Sequence, residues 1–158
     1  VEVATKWEQY FFDFRLKSTR QVALRTAIVL SNEGGALVPY TMLARLGLGG
    51  RQGKGKQRFS FVHIHDVFEA IQFIKDRNDL TGVFNLSAPE SPTNATFMQM
   101  LRRKVNVPVG LPATKLMLEI AAFFHRTETE LLLKSRWVYP ERLTKLGFRF
   151  RYSSRQLA

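Results

Sequence analysis

Apolar residues recur at helical spacing at Val3, Trp7, Tyr10, Phe11 and Phe14, which predicts an amphipathic helix over residues 3–17, closed by Ser18 and Thr19. Residues 21–30 are apolar without clean alternation, the pattern of a strand covered on both faces, as in a parallel sheet. A turn follows at 31–35, a helix at 36–46, a glycine-rich basic loop at 47–56 and a short strand at 59–64. Val67, Ala70, Ile71 and Ile74 share one face of a helix over 66–75. Asn78, Asp79 and Gly82 mark a turn before a strand at 83–86. Thr93 or Asn94 is placed to cap a helix that buries Phe97, Leu101 and Val105. Beyond Pro108 and Pro112, residues 113–124 read as an apolar helix, 127–130 end it, and 131–133 are ambiguous between helix and strand. Pro140 and Gly147 sit where a short helix takes its first-turn proline and its terminal glycine. Phe148 and Phe150 alternate with Arg149 and Arg151, which predicts a short edge strand.

Strands separated by helices imply crossover connections and an α/β fold. The 158 residues fit one domain or a piece of a larger one, and 45% hydrophobic content with 13 Phe supports a sizeable core. No run approaches the ~20 apolar residues of a membrane-spanning helix, and the expected location is cytoplasmic. The lack of cysteine excludes disulfides and thiolate metal sites. Twenty-four basic against 13 acidic residues leave +11, which favours anionic partners without choosing among them. The chain opens on Val1, with no basic-then-apolar leader, and residues 1–18 read as the middle of something. The expectation is a fragment.

Three patterns invite a chemical reading. Gly50, Gly55 and Lys56 satisfy part of a phosphate-loop spacing, but Gln57 stands where a metal-binding hydroxyl is needed. The loop also follows a helix and precedes a strand, the reverse of a phosphate cradle; the plainer reading is a mobile connector with solvated basic residues. His63 and His65 lie on one face of a strand but lack a third metal ligand, so no metal is expected. Asp66 or His65 is better read as a helix cap, with His63 packed through a hydrogen bond. No serine sits in a strained nucleophile turn, and no catalytic residue is assigned. The turns at 31–35 and 87–90 lie beyond strand ends, where open α/β sheets bind ligands. Arg58, after a flexible loop, can clamp a phosphate or stay solvated. The Arg149, Arg151 and Arg155 cluster with Phe148, Phe150 and Tyr152 suits either base stacking or a charged strand edge.

Taken in order, these residues resemble the extended short-chain dehydrogenase/reductase superfamily. The match is closest to a nucleoside-diphosphate-sugar epimerase subfamily with a C-terminal extension. Residues 25–37 (RTAIVLSNEGGAL) look like one of its segments. Leu46-Gly-Leu-Gly-Gly50 with Gly53 and Gly55 looks like its glycine loop. Residues 61–66 (FVHIHD) are similar to its W-I-H-I-x-D junction. Residues 82–89 with 93–97 fit its next strand and helix, and 140–143 with 146–152 resemble the extension's signature.

The resemblance implies the C-terminal part of an NAD(P)-binding Rossmann-type fold over residues 1–90 and a helical, substrate-side extension over 91–158. The dinucleotide fingerprint and catalytic Tyr would belong to a missing N-terminal half. That half is the expected partner, and the cofactor, NAD or NADP, is expected for the parent and not for the fragment. The Lys position of Y-x-x-x-K falls near Ala4, with Lys6 out of register. Carried over by position, Thr26, Ile28 and Val29 would lie beside the cofactor, with Ile28 where an Asn is usual. Asn32, Gly34 and Gly35 would border a nucleotide-sugar, and Arg58 would hold its phosphate. His65 replaces an acidic residue at that junction and Asp66 is retained. The fragment is expected to be inactive alone and to expose a sheet surface open to homo-oligomerisation. The alternative from charge alone is a basic nucleic-acid-binding module.

Overall fold

The computed structural model describes residues 2–14, 16–112, 135 and 137–152. In chain order the elements are α1 (Glu2–Asp13), β1 (Val22–Thr26), β2 (Ile28–Ser31), β3 (Gly34–Gly35) and α2 (Leu37–Arg45). Then come β4 (Phe61–His63), α3 (Ile64–Lys75), β5 (Gly82–Leu86), α4 (Asn94–Lys104) and α5 (Glu141–Lys145). The predicted helix at 113–124 and the ambiguous 131–133 lie outside the described residues.

The run predicted as one strand over 21–30 is two. β1 pairs in parallel with β5, from Val22 opposite Gly82 to Thr26 opposite Leu86. The Ala27 N–H still donates to the Leu86 carbonyl at 2.9 Å. Beyond it the chain changes partner: β2 pairs in parallel with β4, Ile28 opposite Phe61, and antiparallel with β3. A continuous apolar stretch cannot reveal this switch, because pairing partners are set by distant segments.

Helices and loops cover both faces of the β2/β4 pair, which accounts for the missing alternation. Leu30 and Phe61 enter one apolar cluster with Tyr40, Phe59, Phe97 and Met98; Val29 and Val62 enter another with Ile74, Phe84 and Leu143. In the first, Phe59 and Phe97 stack at 4.3 Å and Tyr40 meets both edge-on.

Thr93 caps α4, its Oγ1 accepting the Thr96 N–H at 3.2 Å. Gly147, at φ +88, closes α5 in the left-handed region that glycine enters freely. Residues 148–150 are not an edge strand: they run without sheet pairing, and Phe148 and Phe150 pack inward on the second cluster. The alternation reports a strap with one buried side.

Two further expectations change. α1 ends at Asp13, and its apolar stripe is uncovered among the described residues, Trp7 and Phe14 each being 71% exposed. The glycine loop is pinned rather than mobile. Gly50 N–H donates to the Leu111 carbonyl, Leu111 N–H to the Gly47 carbonyl, and Gln52 is fully buried. A Cβ on Gly50 would stand 2.5 Å from the Leu111 carbonyl carbon and oxygen. Gly49 and Gly50 therefore serve close packing and leave no room for a phosphate at their side of the loop.

Candidate functional site

Parallel β2 and β4 end together at Ser31 and His63, and the first turn of α3 begins there. The two-residue turn Asn32-Glu33 connects β2 to β3, with Glu33 N–H donating to Ser31 Oγ at 3.2 Å. A cleft of about 480 Å³ opens between this turn and α3, with Asn32, Glu33, His63, His65 and Tyr152 in its wall. Asn32 also borders a cavity of about 140 Å³ beside Lys104 and one of about 610 Å³ beside Arg45. The three recesses meet at the C-terminal strand ends, where open α/β sheets take ligands.

His63, rather than Asp66 or His65, is the cap of α3. Its extended backbone (φ −77°, ψ 144°) turns the imidazole so that Nδ1 accepts the His65 N–H at 3.2 Å. Desolvation by burial lowers its pKa from the ordinary 6.5, and neighbouring His65 pushes the same way against the opposing pull of Asp66. Asp66, 1% exposed, faces inward: Oδ1 accepts the Arg151 N–H at 2.9 Å and Oδ2 the Tyr152 N–H at 3.0 Å. The Tyr152 ring then lies on His63 at 3.8 Å between centroids, inclined by 21°. Among the described residues no group of three His, Asp or Glu is placed to hold a metal ion.

The residues singled out from sequence separate. Asn32 lines the cleft, and Gly34 and Gly35 form the short β3 behind the turn. Thr26 ends β1, exposed, while Ile28 and Val29 send their side chains into the two apolar clusters. Arg58 lies before the opposite end of β4, where Nη1 donates to the Ser91 carbonyl at 2.9 Å. The cations bordering the recesses are Arg45 and Lys104, which sequence reasoning did not single out. Tyr152 was also missed as a cleft residue, the available signal being Asp66 at a family junction. The arrangement offers an amide, a carboxylate and two imidazoles for hydroxyl groups, with positive charge alongside for an anion. No helix among the described residues is long and apolar enough to cross a membrane.

Residues 113–158 match the family model described as Domain of unknown function (DUF1731). An epimerase family protein of Staphylococcus aureus (strain MW2) is 32% identical over 157 residues, covering 99% of this chain and 51% of that protein. One from Staphylococcus epidermidis is 34% identical over 153 residues, covering 97% and 50%. The chain spans about half the length of the curated relatives it matches. Human epimerase family protein SDR39U1 (isoform 2), solved with NADPH, aligns at TM-score 0.80 and 33% identity over 99% of this chain and 52% of that one. UDP-glucose 4-epimerase of Thermotoga maritima, solved with UDP-glucose, aligns at TM-score 0.66 over 96% and 48%; at 20% identity it is a likeness of fold alone. Over nearly its whole length the chain is thus similar to about half of an epimerase family protein, and its fold is that of Rossmann-type short-chain dehydrogenase/reductase proteins.

Proposed function

We propose that this chain is the C-terminal, substrate-side half of an NAD(P)-dependent nucleoside-diphosphate-sugar epimerase or reductase of the cytoplasm. The observation that carries the reading is the cleft at Asn32, set at the joint C-terminal ends of β2 and β4. Asn32, Glu33 and the imidazoles offer hydrogen bonds to a sugar's hydroxyls, and Arg45 and Lys104 supply charge for its diphosphate. Asn32, Gly34 and Gly35 remain the substrate side. Arg58, committed to the Ser91 carbonyl, is the weaker phosphate partner.

The described residues do not fit a dinucleotide's pyrophosphate: the one glycine-rich loop is packed at Gly49 and Gly50 against Ala44, Gly110 and Leu111. Its cradle, and the catalytic Tyr, would come from the other half of the parent, with Thr26, Ile28 and Val29 on the cofactor's side. The division is between residues 1–90, Rossmann-like, and 91–158, the extension. Phe97, Met98 and Leu143 share clusters with residues before 90, so it is a division of origin and not of separate cores. The uncovered α1 stripe belongs under the missing half, and in isolation copies of this chain would meet there; light scattering reads that. The nucleic-acid alternative gains nothing from Phe148 and Phe150, which are spent on packing.

Titration of the chain with UDP-glucose, followed through backbone amide signals, tests the reading. Expected are progressive shifts at residues 31–35, weakened by Arg45→Ala. Silence there at millimolar ligand overturns it.

A further inference from the structure

Resting on that reading, we propose that Asp66 is a positioning residue of the cleft: it clamps the C-terminal strap so that Tyr152 becomes the wall opposite Asn32. Three observations converge. The carboxylate is buried, and each oxygen accepts one main-chain N–H from residues 85 and 86 positions later. A carboxylate taking two N–H groups fixes both peptide planes, and charge-assisted bonds of this kind are the stronger sort. Fixing them seats the Tyr152 ring on His63 at 3.8 Å. Tyr152 then borders both the cleft of about 480 Å³ and its neighbour of about 140 Å³, each of which also has Asn32 in its wall.

Strap, tyrosine and cap thus form one chain of contacts from a buried acid to the ligand's side. Within the described residues, the strap's other anchors are Phe148 and Phe150, which hold it down on the second cluster without orienting residue 152. The strap, residues 148–152 of the matched stretch 113–158, thereby acquires a role in the cleft, delivering one aromatic ring to it.

The test titrates UDP-glucose into the wild-type chain and into Tyr152→Ala, Tyr152→Phe and Asp66→Asn. Tyr152→Ala is expected to weaken binding by about tenfold, the worth of a seated aromatic contact. Tyr152→Phe keeps the ring and is expected to bind like wild type, while equal melting temperatures of wild type and Tyr152→Ala separate lost ligand contact from lost stability. Asp66→Asn is expected to shift the His63 ring signals toward those of Tyr152→Ala and to speed amide exchange at 151 and 152. Should Asp66→Asn unfold, the Tyr152 pair and the His63 signals in it decide. Wild-type binding that Tyr152→Ala leaves intact overturns this inference and spares the proposed function. No wild-type binding at the 31–35 turn removes the proposed function and this inference with it.

Discussion

Asn94 and Gln52, 42 residues apart, bind each other through both side-chain and main-chain groups in the interior. Asn94 Nδ2 donates to Gln52 Oε1 at 2.9 Å, and the Gln52 N–H donates to Asn94 Oδ1 at 2.8 Å. Both residues are fully buried. The pair ties the glycine loop to the first turn of α4. Truncation at position 94 strands a buried main-chain donor and a buried side-chain oxygen, each costing about 1–3 kcal/mol. Asn94→Ala is therefore expected to lower unfolding free energy by about 2–4 kcal/mol in a denaturant melt. A loss below about 0.5 kcal/mol, within the scatter of surface substitutions, would show that the bond network is not holding the loop.

Gly50 of this loop and Gly34 of β3 are two kinds of glycine. Gly50 is closed in by backbone, a Cβ there meeting the Leu111 and Gly110 carbonyl groups at 2.5–2.6 Å, while Gly34 has nothing within 4 Å. Gly50→Ala should cost about 1–3 kcal/mol by overpacking, because a carbonyl cannot swing aside as a side-chain tip can. Gly34→Ala should stay within about 0.5 kcal/mol. Paired melts check this, and equal stabilities would place the loop's rigidity elsewhere.

What was legible from sequence was local. Thr93 before an apolar-periodic run, and Pro140 with Gly147 around five helical residues, announce α4 and α5 because caps act within one turn. Asn32 was legible as a cleft residue from the rule about strand ends alone. The partner switch at Ala27, the burial of Gln52 and the inward turn of Phe148 were not, since each depends on segments tens of residues away. Arg45 and Lys104 stand in last helical turns, where cations are favoured for dipole reasons whatever they border, so their place at the recesses leaves no mark in the sequence. Phosphate chemistry was instead sought at Arg58, on the opposite side of β4. Asp66 read as a first-turn acid suited to a cap, and only the fold shows it facing the strap.

His63 makes stability depend on pH. Its cap uses the lone pair of Nδ1, which protonation removes, and burial lowers its pKa below 6.5. Between the lowered native value and 6.5 the unfolded chain binds more protons than the native one, so stability rises with pH there. The contribution is complete above 6.5 and is lost as pH falls through the native value. His63→Asn keeps a capping oxygen that does not titrate. Its stability curve should lack this fall, so the wild-type-minus-variant difference slopes below pH 6.5 and flattens above. Parallel curves would mean that the Nδ1 hydrogen bond adds nothing to stability and that the imidazole is held by the Tyr152 ring instead.

Arg142 joins α5 to the sheet through a fork that lysine cannot copy. Nη1 donates to the Val83 carbonyl at 2.5 Å and Nη2 to the Thr81 carbonyl at 2.9 Å. The guanidinium carbon lies 4.0 Å from the centre of the Phe84 ring. A lysine ammonium is a point charge that meets one such acceptor well and does not stack. Arg142→Lys should thus cost about 1 kcal/mol and Arg142→Ala about 2, from one or both hydrogen bonds and the ring contact. The neighbouring Lys145–Glu141 pair at 2.6 Å is the control. It is an exposed pair one helical turn apart, and Lys145→Ala should leave the melt unchanged. If Arg142→Lys also melts like wild type, charge near β5 suffices, and the attachment of α5 rests on Leu143 in the apolar cluster instead.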